Sequence, residues 1–408
     1  MNLMFKNRIY RFLTLSRLLN SMGSSLYNIV FVIYAAHMFH SKIMISLANI
    51  TMVVPIIFTV FVGIKADNTQ NKNRYIVTTG MIQALLFTLI SVVINKGTLF
   101  VFSIVSLFNI ISDVLSDYAN GLRMPILQKH VEQKDLIEAY SFNQFISYFC
   151  QLFGQVLGIW LLTVSQNNFA YLAFINAISF FLSACMLIPV KQELTYTKVV
   201  QAQQSKSFLQ ELSDIFTNIK MIFNQSNQSS FIHLLIAIFL LNSIGGAITA
   251  IYNIFLLNQK LLNLSYGQAL LVVEGVLVFG ILVGSLTPHD YFSKLSIDYL
   301  LKIAAAIFVL VGVSNLVHFP LIVGVSLLSV ATYLSGKINP KINALLLTHL
   351  PSNVLARTSS FLSLLFTLSV PIGTVLFSMV ASWNIQLTWL IFMVMGLAIL
   401  LLSTKQNS

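Results

Sequence analysis

Twelve long apolar runs, separated by short polar turns, leave this chain almost no home but a lipid bilayer. They cover residues 9–38, 43–64, 75–95, 98–120, 139–163, 168–190, 230–256, 267–286, 299–317, 319–336, 355–380 and 383–403. A helix needs about 20 apolar residues to cross the hydrocarbon core. Lipid offers no partner to a backbone N–H or C=O, so each run has to close its own hydrogen bonds as a helix. The expected fold is therefore all-α, a membrane protein with twelve transmembrane helices. Composition agrees, with 57% of residues hydrophobic and 9% charged. The ninth and tenth runs are the least clearly divided, by His318, Phe319 and Pro320 alone.

The cations fix an orientation. With the N-terminus placed in the cytoplasm, all but three of the 23 lysines and arginines fall inside; Lys42, Lys96 and Lys260 are the exceptions. This bias follows the positive-inside rule and supports both the helix number and cytoplasmic N- and C-termini. The net charge of +11 then records topology. The basic residues form no single patch, so no nucleic-acid partner is needed to explain it.

Several classes of chemistry are excluded. The first run is too long for a cleaved signal and carries Arg17, Asn20 and Asn28. Cys150 and Cys185 lie within apolar runs and read as small core side chains, not as a disulfide framework. No Gly-x-x-x-x-Gly-Lys-Ser/Thr loop supplies an ATP-driven engine. The histidines are scattered, mostly at run ends, without metal-ligand spacing. No Gly-x-Ser-x-Gly elbow suggests hydrolysis. Neither enzymatic activity nor a cofactor is expected.

Residues 191–229 form the only long hydrophilic segment. They separate a six-run bundle, 1–190, from a second, 230–408, as a duplicated transporter would show. Within this linker, residues 208–223 carry apolar side chains near helical spacing and are expected to lie on the membrane surface as an amphipathic helix. Gly154 and Gly158 lie one turn apart in the fifth run, and Gly280 and Gly284 in the eighth. Glycines so spaced let two helices approach closely. Two uses stay open: packing within one half, or a seam on which the fifth and eighth helices slide.

The loop after the second run carries a family signature. It reads Gly63-Ile-Lys-Ala-Asp67-Asn-Thr-Gln-Asn-Lys72-Asn-Arg74. This resembles the conserved loop between the second and third helices of the major facilitator superfamily. Gly63, Asp67, Lys72 and Arg74 match its pattern, and Asn68 stands where the family usually has a basic residue. The resemblance implies a twelve-helix transporter of two six-helix bundles, in which this loop latches one conformational state. It also implies that Gly63 ends a helix beside a tightly packed loop. Asp117, near the inner end of the fourth run, is the expected partner of Arg74 or Lys72 in that latch. The equivalent loop after the eighth run, Gly284 to Lys294, reads as degenerate.

The stretch Met124-Pro-Ile-Leu-Gln-Lys-His-Val131, then Asp135-Leu-Ile-Glu-Ala-Tyr140 and Gly154-Gln-Val-Leu-Gly158, is similar to the macrolide-efflux branch of that superfamily. There a proline-containing loop, an acidic step and a glycine-rich fifth helix recur. Gln155 takes the place where drug antiporters usually carry proline.

Charges within the runs are few, so each is informative. Glu274 sits at the centre of the eighth run among Leu270, Val273 and Leu277. Asn109, Asp113 and Asp117 recur every four residues on one face of the fourth helix. Glu274 and Asp113 are the candidate proton-coupling groups. Arg17, Ser21 and Asn28 on the first helix, Asn109 on the fourth, Asn242 and Asn253 on the seventh and Ser329 on the tenth are candidate cavity-lining groups, since the family resemblance places those helices centrally. Arg17 is a candidate partner for Asp113 or Asp117. The 32 phenylalanines either dress an aromatic cavity or fill helix contacts.

The leading expectation is a proton-coupled exporter of lipophilic or amphiphilic small molecules in the cell membrane, driven by the proton gradient. Uptake of a nutrient, peptide or lipid precursor stays open, as does a non-transporting scaffold or immunity-type role. The expected partners are a small-molecule substrate and membrane lipids, with the chain acting as a monomer. The Asn-, Lys- and Ile-rich composition fits an AT-rich bacterial genome.

Overall fold

The computed structural model describes residues 2–132, 135–194, 229–287, 290–349 and 352–404. Among these described residues, twelve helices are long and apolar enough to cross a membrane. They are α1 Arg8–Phe39, α2 Lys42–Asn68, α3 Lys72–Val93, α4 Leu99–His130, α5 Leu136–Val164 and α6 Phe169–Leu187, then α7 Ser229–Phe255, α8 Tyr266–Leu286, α9 Ile297–Leu316, α10 Leu321–His349, α11 Ser352–Trp383 and α12 Ile385–Thr404. No strand occurs among the described residues. The expected surface helix at 208–223 and nearly all of the linker lie outside them.

The chain divides into two compact units, Met1–Val200 and Gln201–Ser408. In the first, α1 packs on α5, α2 on α4 and α3 on α6. In the second, α7 packs on α11, α8 on α10 and α9 on α12. The same three pairings recur in the same order, an internal repeat written in contacts.

Lipid gives helices little hydrophobic reason to associate, so small residues and polar contacts hold such bundles together. Gly154 and Gly158 bring α5 against α1: a Cβ on Gly154 would stand 2.7 Å from the Ser25 Cβ, and one on Gly158 2.6 Å from the Leu26 carbonyl. Gly280 and Gly284 serve α8 against α10, where a Cβ on Gly284 would meet the Tyr333 carbonyl at 2.0 Å. Both pairs thus pack inside their own half, the first of the two uses left open by the sequence. The repeat counterpart of the α1–α5 contact is Gly246 with Gly373, between α7 and α11.

Two helices outrun the expected boundaries. The segment from Met124, expected as a proline-containing loop, continues α4 through Pro125 to His130. Proline removes one backbone bond, but the residues after it, Ile126 and Leu127, are buried, and their packing sustains the helix. α10 likewise runs past 336 to His349, carrying buried Lys337 and Ile338. Some aromatic rings fill the bundle cores, Tyr27, Phe31, Tyr34 and Phe87 in the first half and Tyr252, Phe308, Phe377 and Trp389 in the second, while others such as Phe100 and Trp160 are exposed. Tyr27 meets Phe87 edge-on at 4.7 Å, and Tyr252 meets Trp389 at 5.7 Å.

Candidate functional site

A helix leaves its last carbonyls without intrahelical partners, and that end is electronegative. At the end of α2 those carbonyls are closed by side chains. Thr69 Oγ1 donates to the Lys65 carbonyl at 2.8 Å and lies 2.6 Å from the Tyr118 hydroxyl of α4. Lys72, fully buried, folds back so that Nζ donates to the carbonyls of Ala66 and Asp67, the latter at 3.2 Å. A Cβ on Gly121 of α4 would stand 2.8 Å from the Ala66 Cβ, so the two helices touch beneath this cap.

Three expectations for this corner change. Gly63 does not end the helix: α2 continues to Asn68, and a Cβ on Gly63 would meet nothing within 4 Å. Asp117 does not pair with Lys72 or Arg74; it accepts a 3.4 Å bond from Thr59 of α2. Lys72 is taken up by backbone carbonyls, and Arg74 and the Asp67 side chain are exposed.

The end of α8, read as degenerate, is the more fully bonded of the two. Lys337 enters from α10 and is 3% exposed. Its Nζ donates to the Thr287 carbonyl at 2.7 Å and the Gly284 carbonyl at 3.2 Å, and forms an ion pair with Asp290 at 2.8 Å. Asp290 Oδ1 accepts from the Ser293 amide and hydroxyl at 2.8 and 2.7 Å, and Oδ2 accepts from the Tyr333 hydroxyl. Desolvation pushes the Asp290 carboxyl up, but the bonds from Lys337 and Ser293 outweigh it and hold it down at about 2. Asp290 falls six residues after Gly284, whereas Asp67 falls four after Gly63, and that longer spacing hid the motif. The available signal was Lys337 directly at the end of the tenth apolar run, where a cation drawn into the bundle is costly without a partner.

The first half also holds a buried polar network that sequence reasoning missed. Asn20 Nδ2 donates to Gln83 Oε1 at 3.3 Å, and Gln83 Nε2 donates to the Ser112 carbonyl and Ser116 hydroxyl at 2.9 and 2.8 Å. Ser116 closes the loop on Asn20 Oδ1 at 3.3 Å. Interhelical bonds of this kind contribute about 0.6 kcal/mol each in membranes, so the network ties α1, α3 and α4 together. It occupies the flank of α4 next to Asp113 and Asp117.

Asp113 lies near the middle of α4, half-buried, and makes no hydrogen bond or ion pair among the described residues. Arg17 does not pair with it or with Asp117; Nη2 donates to the Ser147 hydroxyl of α5 at 2.9 Å. Glu274 is half-buried at the midpoint of α8. Of the candidate cavity groups, Asn109 and Asn253 are buried, while Ser21, Asn28, Asn242 and Ser329 are half-buried. Ser329 donates to the Ser326 carbonyl at 2.7 Å.

Comparison with known proteins now bears on this geometry. Residues 13–374 match the family model of the Major Facilitator Superfamily. No curated protein matches by sequence. Among solved structures, the nucleoside transporter NupG is similar at a TM-score of 0.71 and 14% identity, over 98% of this chain and 99% of that one. The POT family transporter PepTSo gives 0.70 and 10%, over 98% of each chain. A bacterial homologue of the iron transporter ferroportin gives 0.71 and 13%, over 98% and 99%. At such identities the likeness is one of fold. The family match itself spans most of the chain, and with twelve apolar helices in two repeated bundles the conclusion is plain: the protein belongs to the Major Facilitator Superfamily and is a multi-pass membrane transporter of a small molecule, not an enzyme.

Proposed function

We propose that the protein is a proton-coupled secondary transporter that exports lipophilic or amphiphilic small molecules, as the macrolide-efflux branch it resembles does. It works as a monomer in the cell membrane with both termini in the cytoplasm, and residues 1–190 rock against 230–408 to alternate access. The observation that carries this reading is Asp113, a mid-helix carboxylate that no described neighbour neutralises. An acid in that setting changes protonation as its surroundings change, and coupling requires only that its two forms favour different conformers. Glu274, at the centre of α8, is the matching group in the second half.

The test is gradient-driven flux in inside-out vesicles, with a panel of lipophilic cations, macrolides and lipids. An imposed pH gradient is expected to drive accumulation, and Asp113→Asn and Glu274→Gln to reduce it to the gradient-free level. Unchanged flux in both variants defeats the coupling assignment. Accumulation only in right-side-out vesicles reverses the direction to uptake.

A further inference from the structure

We propose that Arg17 and Arg123 form a binding site for one oxyanion, presented by a lipid headgroup phosphate or by free phosphate. The site stands on its own geometry and does not depend on how transport is coupled. Both guanidinium groups line one crevice in the first half, with Thr14 and Asn143 as further polar walls and Leu13 and Leu127 as apolar ones. They sit on α1 and α4, whose packing brings two positive charges together, and among the described residues no carboxylate pairs with either.

The bonding of each arginine is incomplete. Arg123 is 6% exposed and donates to two neutral acceptors, Asn120 Oδ1 at 3.0 Å and Ser16 Oγ at 3.3 Å. Among the described residues Arg17 donates to Ser147 alone. The Nε of each is buried and lacks an acceptor, and neither arginine forms an ion pair among the described residues. A guanidinium offers five donors in a rigid fork that suits phosphate oxygens. A buried charge without a counter-charge is costly, and two like charges side by side more so. One oxyanion answers every part of this: it neutralises both cations and accepts from the Nε–H teeth left idle. The crevice volume of about 10 Å³ holds one oxygen-sized group. The anion therefore enters by its tip, which suits a tethered headgroup or a phosphate seated at the mouth.

The experiment reads thermal stability of the full chain in maltoside micelles, which carry no phosphate, since a ligand that binds only the folded form raises Tm. Inorganic phosphate is titrated against chloride at equal ionic strength. In a second arm, phosphatidylglycerol is added to the micelles. A rise of several degrees with phosphate identifies a free anion; a rise only with phosphatidylglycerol identifies a headgroup. Either rise is expected to vanish in Arg17→Gln and Arg123→Gln and to be partly kept in Arg123→Lys, which retains charge but not the fork. Should Arg123→Gln not fold, the half-buried Arg17 carries the test alone. No rise in either arm, a rise that chloride matches, or one that survives Arg17→Gln overturns the site.

Discussion

The ends of α2 and α8 perform one task with opposite means. At α2 the capping lysine, Lys72, comes from the loop itself, and the signature carboxylate Asp67 is left exposed. At α8 the capping lysine, Lys337, comes from the packed helix α10, and the carboxylate Asp290 is spent on Lys337, Ser293 and Tyr333. The corner that matches the family signature best is the one whose acid is idle. The corner whose spacing departs from it is closed on every side. Signature residues therefore need not be the ones that stabilise a conformer. An acid held open at a well-capped helix end is available for a second arrangement, and we propose that the conformational latch lies there, with Gly63, Asp67, Lys72, Arg74 and Asp117 as its parts.

The largest effect separating the two corners is expected from the lysines. Lys337→Met strands the Gly284 and Thr287 carbonyls and leaves Asp290 without its cation. Each stranded buried group costs roughly 1–3 kcal/mol, and Tm moves by about 1 °C per kcal/mol in a chain this size. Lys72→Met still leaves Ala66 with a 3.3 Å bond from the Thr69 amide. Its fall in Tm should be the smaller. A larger fall for Lys72→Met would invert the comparison.

The carboxylates sharpen it with pH. Asp290 is held at about 2 against an ordinary 3.8, so the folded protein favours the ionised form. Its contribution is whole above about pH 4 and is lost as pH falls through about 2. The Tm gap between the parent and Asp290→Asn should be flat from neutral pH to about 4 and close below it. Asp67→Asn should shift stability by no more than about 0.5 kcal/mol, as exposed substitutions do, yet lower transport. A Tm fall for Asp67→Asn as large as that for Asp290→Asn would show that both acids hold this conformer.

What the sequence disclosed follows the same divide. Helices were legible because lipid demands about 20 apolar residues and tolerates nothing but helix. Their inner ends were not, since past the hydrocarbon a helix such as α4 continues on packing alone, through Pro125 on buried Ile126 and Leu127. The duplication showed in six runs and six, but the glycine pairs left open which helix each would meet. Gly154–Gly158 and Gly280–Gly284 share a spacing and serve different pairings, because spacing does not say which helix is approached. Asp113 and Glu274 stood out as charges where charge is expensive. The Asn20–Gln83 network did not, because uncharged polar residues in apolar runs are common and only the fold brings four of them together.

The smallest effect asks the sharpest question. Gly63 is the signature glycine, yet it lies inside α2 with open space where a Cβ would go. Its second-half counterpart in the motif, Gly284, has a carbonyl 2.0 Å from that point. In a helix interior, alanine for glycine gains about 0.5–1 kcal/mol when nothing obstructs it. Gly63→Ala should thus leave Tm unchanged or raise it by about a degree. If transport is unchanged as well, the glycine serves no close contact in any state of the cycle. If transport falls while Tm holds or rises, the empty space beside α2 is filled in another conformer. The idle Asp67 four residues on and the vacant face at Gly63 would then be two marks of one moving contact.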